Sequence, residues 1–417
     1  MANKRIGRKS SAQDNFLEPS QPTITGASNV GSARPYNNGA VTITFTLPAA
    51  SPPATSFTVT SSTGQTGTGS SSPITVQGIA SGATPTFTMT ASNAAGTSIA
   101  SSATGAISVT TVPQAPTVTA ADIGSGRAYN NGAATITVTG GATGGSAITS
   151  YTATSGALTG SGSSPITIGS LASATSYSFS VTATNANGTS AATTSNSITA
   201  TTVPDRPTAT AANIGTGRPY NNGAATITVT GGANGGSAIT SYLVGSTVAG
   251  HNDTSSGSSP LTLGNLLSGG SYAFNVIATN ANGTSQGAIA TNSITATTVP
   301  QAPQSATATA GIDANTINWQ IGASGGSALT KHNVAGSDGT SSGDLAANAT
   351  SATIADTANT SQTYSVTATN GNGTSLASNA TASVTTIAPF FPFFPPFFPP
   401  FFPPFFPPFF PFFPPFF

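Results

Sequence analysis

A strand-and-turn motif returns four times at nearly equal spacing, and it limits what this chain can fold into. It reads YSFSVTATNANGTS at residues 177–190 and YAFNVIATNANGTS at 272–285, with looser copies at 86–98 and 363–375. The asparagines that open each Asn-x-x-Gly-Thr-Ser block are Asn93, Asn185, Asn280 and Asn370, so the spacings are 92, 95 and 90 residues. Each copy alternates side chains with period two and then turns at Asn and Gly, which predicts a strand followed by a hairpin. A repeat of this length is a small domain, so the motif predicts an array of four.

The repeat and the composition shifts around it predict the domain boundaries. The predicted segments are a basic arm (1–18), four modules called repeats 1 to 4 (19–112, 113–203, 204–299 and 300–388) and a Phe/Pro tail (389–417). Each junction between repeats reads TTVPQAP or TTVPDRP. Because proline fixes its own backbone and biases the preceding residue to extended conformations, we expect short, stiff linkers and an elongated rod.

Within each repeat, short apolar runs are separated by turn residues and no helical period is present. Repeat 2 shows this with ATITVT at 134–139, a strand from Ile148, ITI at 166–168 and a strand from Tyr177. This pattern predicts an all-β fold built of two-sheet sandwiches.

Several of these residues resemble those of fibronectin type III modules. The similarity lies in GGSAITSY, the later leucine, the Tyr eight residues before an Asn, and Trp319 in INWQIGASGGSALT. The resemblance covers residues 19–388 and implies a tandem array of four immunoglobulin-like (fibronectin type III-like) β-sandwiches with a non-globular tail. It also implies that Trp319 is buried on the second strand. The matching positions in the other repeats are Phe45, Val138 and Val229.

The same resemblance implies a corner hydrogen bond from a tyrosine of a later strand. The residues at that position are Tyr177 and Tyr272 in repeats 2 and 3, but Pro85 and Gln362 in repeats 1 and 4. In repeat 4, Tyr364 follows two residues later. In this family the fold carries little functional information.

The composition argues against several functions. Charged residues are 4% of the chain, with nine basic and nine acidic side chains, so no basic face for nucleic acid is expected. There is no cysteine, which excludes disulfides and thiolate chemistry. No apolar helix-forming stretch of 18 residues occurs, so no transmembrane segment is expected. The opening MANKRIGRKSSAQDN has no following apolar run and is not typical of a secretory signal.

No catalytic, cofactor-binding or metal-binding constellation is recognisable, and the chain is interpreted as a non-enzyme without cofactors. The histidines are His251, in a polar loop beside Asp253, and His332, which takes the place of Tyr151 and Tyr242 and is expected to pack as a ring. The carboxylates are scattered, without the spacing of a calcium loop or an acid/base pair. The Gly-rich segments lack the Lys and the helix N-terminus that phosphate binding needs.

Repeats 1 to 3 share an insert that repeat 4 lacks. It reads GSARPYNNG, GSGRAYNNG and GTGRPYNNG, and it places an Arg and a Tyr at Arg34 and Tyr36, Arg127 and Tyr129, and Arg218 and Tyr220. Asn-Asn-Gly is turn chemistry, because Asn and Gly tolerate positive φ. One interpretation is that the Tyr packs over the end of the sandwich while the Arg caps a loop. The other is a repeated contact surface, either between modules or with a glycan.

The two ends of the chain have unlike compositions. The arm carries Lys4, Arg5, Arg8 and Lys9, which indicates either a solvated disordered arm or one that orders against an acidic neighbouring subunit. The tail holds only Phe and Pro, with 16 Phe among 29 residues, so an extended form is expected. It resembles the Phe-Pro tails of structural proteins of aquatic phages. The candidate partner-binding residues are Phe397, Phe398, Phe401, Phe402, Phe405 and Phe406.

The sequence leaves more than one function open for the whole chain. The leading hypothesis is a structural protein of a phage virion, a fibre or decoration rod, whose tail anchors it to other virion proteins or to copies of itself. Contact of the tail with a host envelope is an alternative, and an unstructured tail without a role is another. A glycan-binding adhesin of a bacterial cell surface is the main rival, and accessory modules of a carbohydrate-active enzyme are a third reading. The leading hypothesis implies assembly in the host cytoplasm and exposure on the particle.

Overall fold

The computed structural model describes residues 17–248, 254–285 and 289–392. Within these ranges the chain forms antiparallel strands and no helix. The predicted all-β fold of tandem immunoglobulin-like sandwiches is therefore confirmed.

The backbone divides into two compact units. Of the described residues, one unit comprises 17–212 together with those of Thr226–Leu263 and Tyr272–Ile294. The other comprises Asn213–Ala225, Gly264–Ser271 and the described residues 295–392. Repeats 1 and 2 lie in the first unit and repeat 4 in the second, while repeat 3 contributes to both. The domain boundaries deduced from the repeat remain predictions.

Repeat 1 contains two sheets, one of three strands and one of four. Its strands are β1 (Thr23–Asn29), β2 (Gly39–Thr46), β3 (Ser56–Ser61), β4 (Thr66–Gly69), β5 (Ile74–Ile79), β6 (Phe87–Asn93) and β7 (Gly96–Thr97). The sheet orders are β1-β2-β5 and β4-β3-β6-β7. Alternate side chains of both sheets, including Ile43 and Val76 from one and Val59 and Phe87 from the other, form one buried cluster. This cluster is the core of a sandwich.

Repeats 2 and 3 follow the same plan, each with an added two-stranded sheet. The strands of repeat 2 are β8 (Thr117–Ile123), β9 (Gly132–Thr139), β10 (Ile148–Ser155), β11 (Leu158–Gly162), β12 (Ile166–Leu171), β13 (Ser176–Tyr177), β14 (Ser180–Asn185), β15 (Gly188–Thr189), β16 (Thr193–Thr194) and β17 (Ile198–Thr199). Those of repeat 3 are β18 (Thr208–Ile214), β19 (Gly223–Thr230), β20 (Ile239–Ser246), β21 (Thr254–Gly257), β22 (Leu261–Leu266), β23 (Ser271–Tyr272), β24 (Phe274–Asn280), β25 (Gly283–Thr284), β26 (Ile289–Ala290) and β27 (Ile294–Thr295). The sheet orders of repeat 2 are β12-β9-β8, β11-β10-β14-β15 with β16 on β14, and β13-β17, and repeat 3 matches them.

Repeat 4 keeps this arrangement and carries the tryptophan. Its strands are β28 (Gln304–Ala310), β29 (Ala314–Gln320), β30 (Leu329–Gly336), β31 (Leu345–Ala346), β32 (Ser351–Ala355), β33 (Ser361–Gln362), β34 (Tyr364–Asn370), β35 (Gly373–Thr374) and β36 (Val384–Thr385). Trp319 is buried on β29, as the resemblance implied. His332 is fully buried with its ring 5.8 Å from that of Trp319, so its expected packing role is confirmed. The matching residues Phe45, Val138 and Val229 are buried too.

The strand predicted to start at Tyr177 is divided. Tyr177 pairs with Ile198 between β13 and β17, whereas the strand resumes at Ser180 and joins β10. The Tyr177 hydroxyl accepts a hydrogen bond from the Ala172 backbone N–H at 2.9 Å, which is the expected corner bond. In repeat 4 the position of Tyr177 is taken by Gln362 on β33. The buried tyrosine of that repeat is Tyr364, two residues later on β34.

Residues 98–104 cover the edge of β6 that β3 does not pair with, and every third residue of this segment is Ser or Thr. The backbone N–H groups of Ser98, Ser101 and Thr104 donate to the carbonyls of Ala91, Met89 and Phe87. The side-chain oxygens of the same three residues accept from the N–H groups of those strand residues at 3.0–3.1 Å. Repeat 4 shows the same pattern with Ser375, Ser378 and Thr381 along β34. The hydroxyls thus complete the hydrogen bonding of a strand edge that would otherwise be open.

Candidate interaction surfaces at the repeat junctions

The asparagine hairpin of one repeat binds the linker that leaves the preceding repeat. In repeat 2 the side-chain amides of Asn185 and Asn187 both donate to the backbone carbonyl of Thr111, at 2.9 and 3.1 Å. Asn185 also accepts from the Asn187 backbone N–H at 2.9 Å, which fixes the two side chains relative to each other. Thr111 is completely buried. A buried carbonyl needs a partner, and here the next repeat supplies two.

A glycine pair of the same repeat approaches the linker from another direction. The Thr111 N–H donates to the Gly144 carbonyl at 2.8 Å. Gly144 has a φ of 72°, and a Cβ on it would lie 2.5 Å from the Val112 carbonyl oxygen and 2.6 Å from that of Thr111. Only glycine fits this position, because it lacks a Cβ and tolerates the left-handed conformation. The segment GGATGG is thus a linker-binding loop.

The insert of the preceding repeat completes the junction. The backbone N–H of Ala33, within the insert of repeat 1, donates to the carbonyl of Asn187 at 2.8 Å. The carbonyl of Arg34 accepts from the Val112 N–H at 3.0 Å, which holds the linker against its own repeat. Val112 is only 7% exposed, and a Cβ on Gly188 of the hairpin would lie 3.2 Å from its side chain. Burial of one such side chain contributes about 2 kcal/mol.

The same contacts recur at the two later junctions, and each junction lies within one of the two compact units. The asparagine bonds run from Asn280 and Asn282 to Thr202 and from Asn370 and Asn372 to Thr298, at 2.8–3.1 Å. The backbone N–H groups of the linker residues Thr202 and Thr298 donate to the carbonyls of Gly235 and Gly325. In the inserts, the backbone N–H groups of Gly126 and Gly217 donate to the carbonyls of Asn282 and Asn372. The same contacts thus form at each junction at which the shared linker, hairpin and insert sequences meet.

The arginines proposed as surface contacts cap their own turns. Arg127 donates from Nε to the Asn131 carbonyl at 2.9 Å and from Nη2 to its side-chain oxygen at 3.4 Å. Arg34 and Arg218 make the same pair of bonds to Asn38 and Asn222. Asn130 has a φ of 59°, as turn chemistry requires. The guanidinium groups therefore hold the insert in shape, and the backbone of the insert makes the contact to the next repeat.

The tyrosines of the insert, Tyr36, Tyr129 and Tyr220, are half-buried. Tyr220 lines a hollow of about 230 Å³ together with Pro219, Val299, Pro300 and the highly exposed Leu376. The lining is mostly apolar, which suits an apolar or ring-shaped ligand.

The sequence predicted the turns of Asn187, Asn282 and Asn372 but not the function of their side chains. One signal was available in the chain. Repeat 1 has Ala95 where the other repeats have the second Asn, and repeat 4 lacks the insert. The second Asn is missing from the first repeat and the insert is missing from the last one. This is the pattern expected if the second Asn of one repeat and the insert of the preceding repeat form a single contact.

A buried polar cluster in repeat 4 surrounds Tyr364. Its hydroxyl donates to Asp356 Oδ2 and accepts from Asn315 Nδ2, each at 2.9 Å. Burial raises the pKa of the Tyr364 hydroxyl above its ordinary value, the bond from Asn315 opposes this, and Asp356 adds to it. The cluster ties β34 to β29 and to the loop after β32.

Other predicted features lie elsewhere or outside the described residues. His251, Asp253, the arm residues Lys4 to Lys9 and all six candidate tail phenylalanines fall outside them, while Phe390 and Phe391 are described and highly exposed. Among the described residues, no group of three or more His, Asp or Glu side chains is placed to hold a metal ion. Over the same ranges there is no helix of the length and apolarity needed to cross a membrane.

Comparisons with known proteins give structural neighbours only. No protein-family model matches the chain, and no curated protein matches it. A crystal structure of the FN1–FN3 domains of chicken CNTN1 is similar at 15% identity and a TM-score of 0.25, covering 66% of this chain and 99% of that one. Domains A168–A170 of titin are similar at 17% identity and a TM-score of 0.27, covering 65% and 99%.

Proposed function

We propose that the protein is a non-enzymatic structural component of a phage particle, in which docked β-sandwich repeats act as a spacer and the Phe/Pro tail attaches the chain. One observation carries the spacer role. Each linker threonine is fully buried and bonded through both its N–H and its carbonyl to the following repeat. A linker meant to swing freely would leave these groups to water.

The physical consequence of this bonding is a junction that resists bending. Opening one junction exposes a buried valine and strips a buried threonine of its partners. The first costs about 2 kcal/mol, and each lost hydrogen bond costs about 1 kcal/mol more. A spacer needs this property, because a load on one end must reach the other. The absence of cysteine from the sequence agrees with a protein that relies on packing alone.

The attachment role is assigned to the tail on chemical grounds. Its 16 phenylalanines cannot all be left in water without forming a large apolar surface, which marks an interaction site. Phe390 and Phe391, where the tail starts, are 88% and 83% exposed. The partner we propose is an apolar groove of another virion protein or the tails of other copies.

Truncation of the chain after Ala388 tests the attachment role. We expect the truncated chain to fold, with the exposure of Trp319 unchanged, and to be missing from assembled particles. A matched control is Asn379→Ala, which alters an exposed residue of repeat 4 and should be incorporated normally. If the truncated chain enters particles at normal stoichiometry, the attachment role is wrong.

The hollow beside Tyr220 favours a second candidate, a glycan-binding adhesin. Aromatic rings beside apolar concavities suit the faces of sugar rings. This candidate predicts that the chain without its tail is retained on host envelopes or polysaccharides and that Tyr220→Ala abolishes the retention. Tyr129→Ala, in the insert before it, is the matched control. No retention at high protein concentration counts against it.

A further inference from the structure

We propose that the junction between repeats 2 and 3, called the middle junction, is the weakest of the three and opens first. The junctions between repeats 1 and 2 and between repeats 3 and 4 are called the outer junctions. Two amide side chains that strengthen the outer junctions are replaced by carboxylates at the middle one. This difference in strength is independent of the tail and goes beyond the proposed spacer role.

At each outer junction an asparagine, a linker threonine and the hairpin asparagine form a chain of hydrogen bonds. At the first junction Asn29 Nδ2 donates to the Thr110 hydroxyl oxygen at 2.8 Å, and that hydroxyl donates to Asn187 Oδ1 at 3.1 Å. The Thr110 N–H donates to Asn29 Oδ1 at 3.2 Å, which fixes the orientation of the amide. The chain of bonds therefore runs from one repeat through the linker into the next.

The last junction has the same chain of bonds with the same three residue types. Asn213 Nδ2 donates to the Thr297 hydroxyl oxygen at 2.7 Å, and the hydroxyl donates to Asn372 Oδ1 at 3.3 Å. A hydroxyl has a single hydrogen, so it can donate to the next repeat only if that hydrogen is not used within its own repeat. The asparagine meets this condition because its amide group is itself the donor.

The middle junction has Asp122 in place of this asparagine, and the direction of the first bond is reversed. The Thr201 hydroxyl donates to Asp122 Oδ2, and the Thr201 N–H donates to Oδ1 at 3.1 Å. An ionised carboxylate only accepts, so it takes the one hydroxyl hydrogen. The Thr201 hydroxyl oxygen and Asn282 Oδ1 both lie beside Gly124, as the matching oxygens lie beside the corresponding glycines of the outer junctions. Here, however, Thr201 has no hydrogen left to donate to Asn282.

A second amide is replaced in the linker itself. At the first junction Gln114 accepts through its side-chain oxygen from the Ala142 N–H, in the linker-binding loop of the next repeat, at 3.1 Å. At the last junction Gln301 accepts from the Ala323 N–H at the same distance. The middle junction has Asp205 at this position, and its carboxylate accepts from the N–H of the next linker residue at 2.8 Å. This side chain, one methylene shorter, thus bonds within the linker instead of across the junction.

The remaining contacts are alike at the three junctions and do not compensate for this difference. The second linker threonine is completely buried at each junction, and the valine that follows it is 5–9% exposed. The two bonds of Asp122 hold the linker to its own repeat and do not join it to repeat 3. Each bond lost across a junction changes an opening equilibrium about two- to tenfold, so the loss of two favours opening of the middle junction about fivefold or more.

Hydrogen exchange of three backbone amides in the full chain tests this inference. The N–H groups of Thr111, Thr202 and Thr298 each lie in the sequence Thr-Thr-Val-Pro, so their exchange rates can be compared directly. Each N–H donates to the following repeat and exchanges with solvent when its junction opens. We expect Thr202 to exchange about fivefold faster or more than the other two.

Two reciprocal variants assign the difference to the carboxylates. Asp122→Asn combined with Asp205→Gln gives the middle junction the residues of the outer ones and should slow the exchange of Thr202 to their rate. Asn29→Asp introduces a carboxylate at the first junction and should accelerate exchange there about twofold or more. Asp344→Asn removes an exposed carboxylate that pairs with a lysine of repeat 4, and this control should leave all three rates unchanged.

The buried N–H groups of Ala183 and Ala278 separate opening of the junction from unfolding of a repeat, because they donate to hydroxyls within repeats 2 and 3. Corrected for intrinsic rates, both should exchange more slowly than Thr202. Exchange of Thr202 at the rate of either one overturns the inference, because the junction would then open only when a repeat unfolds.

Equal exchange of the three linker threonines also overturns the inference. A fast Thr202 whose rate the double variant does not change overturns it as well, since another cause would then make this junction open. Because the double variant lies in repeat 2 and its linker and Asn29→Asp lies in repeat 1, either one decides the matter if the other fails to fold.

Discussion

The side-chain amide of Asn187 donates to the backbone carbonyl of Thr111 at 3.1 Å, across 76 residues of sequence and between two sandwiches. The Asn187 side-chain oxygen accepts from the Thr110 hydroxyl at 3.1 Å. One side chain thus forms hydrogen bonds with two consecutive residues of the linker. The hairpin that identifies the repeat is also the element that joins one repeat to the next.

Replacement of this side chain should loosen the first junction without unfolding either repeat. Asn187→Ala removes two hydrogen bonds, one of them to a buried carbonyl. At about 0.5–1.5 kcal/mol for each bond, the Thr111 N–H should exchange with solvent about tenfold faster or more. Amide hydrogen exchange of residues 110–114 measures this directly.

The matched control for Asn187→Ala is Ala186→Ser, at the exposed middle position of the same hairpin. It changes the hairpin surface without touching the linker and should leave the exchange of Thr111 unaltered. Equal exchange in Asn187→Ala and the unaltered chain would show that the side chain does not hold the junction.

Much of this fold was predictable, because apolar alternation has a fixed period and acts within one repeat. The strands from Ile148 and Ile166 and the Asn-Gly turns follow from such local signals, whereas the burial of Trp319 was implied by the resemblance to fibronectin type III modules. The function of Asn187 did not, because its partner lies in another repeat and hydrogen bonding leaves no periodic trace in the sequence. The division at Tyr177 was missed for a related reason, since its alternation continues unbroken while its pairing partner changes.

The close approach of the glycine pair to the linker predicts a large difference between two similar substitutions in repeat 4. Gly325 and Gly343 have φ values of 74° and 67°, so alanine at either is strained. A Cβ at Gly325 would lie 2.5 Å from the Val299 carbonyl oxygen, whereas at Gly343 nothing lies within 4 Å. Gly343→Ala should cost about 1 kcal/mol, and Gly325→Ala clearly more, because the linker must move away.

Trp319 is the only tryptophan of the sequence, so its fluorescence during urea unfolding reports on repeat 4 for both glycine variants. The difference in stability between the unaltered chain and Gly343→Ala measures backbone strain alone. The further loss in Gly325→Ala measures the contact of its Cβ with the linker carbonyl. Equal losses in the two variants would mean that the linker does not press on Gly325.

The hydroxyls that accept hydrogen bonds from the edge of β34 predict that single serine side chains matter for stability. Ser378 accepts from the buried N–H of Val366 at 3.0 Å, so Ser378→Ala leaves that N–H without a partner. An unsatisfied buried donor costs about 1–3 kcal/mol. Asn379→Ala, at the exposed neighbouring position, should cost almost nothing. Urea unfolding followed by Trp319 distinguishes the two, and similar losses would contradict a role for the hydroxyl.

Tyr364 predicts that repeat 4 loses stability in alkaline solution. Burial raises the pKa of its hydroxyl above the ordinary value of about 10, so the folded state keeps the proton that the unfolded state releases. The stabilisation is fully present below pH ~10 and is lost as the pH rises from there through the folded-state pKa.

Tyr364→Phe removes this titration together with the bonds to Asp356 and Asn315. The variant should be less stable at pH 7 by about 1–3 kcal/mol, because Asn315 and Asp356 lose a buried partner. Its remaining stability should then fall less steeply above pH 10 than that of the unaltered chain. Urea midpoints of the Trp319 signal from pH 7 to 11 measure both effects, and Tyr242→Phe, in repeat 3, is the control that should keep the original profile. Parallel pH profiles for Tyr364→Phe and the unaltered chain would show that another group causes the alkaline loss.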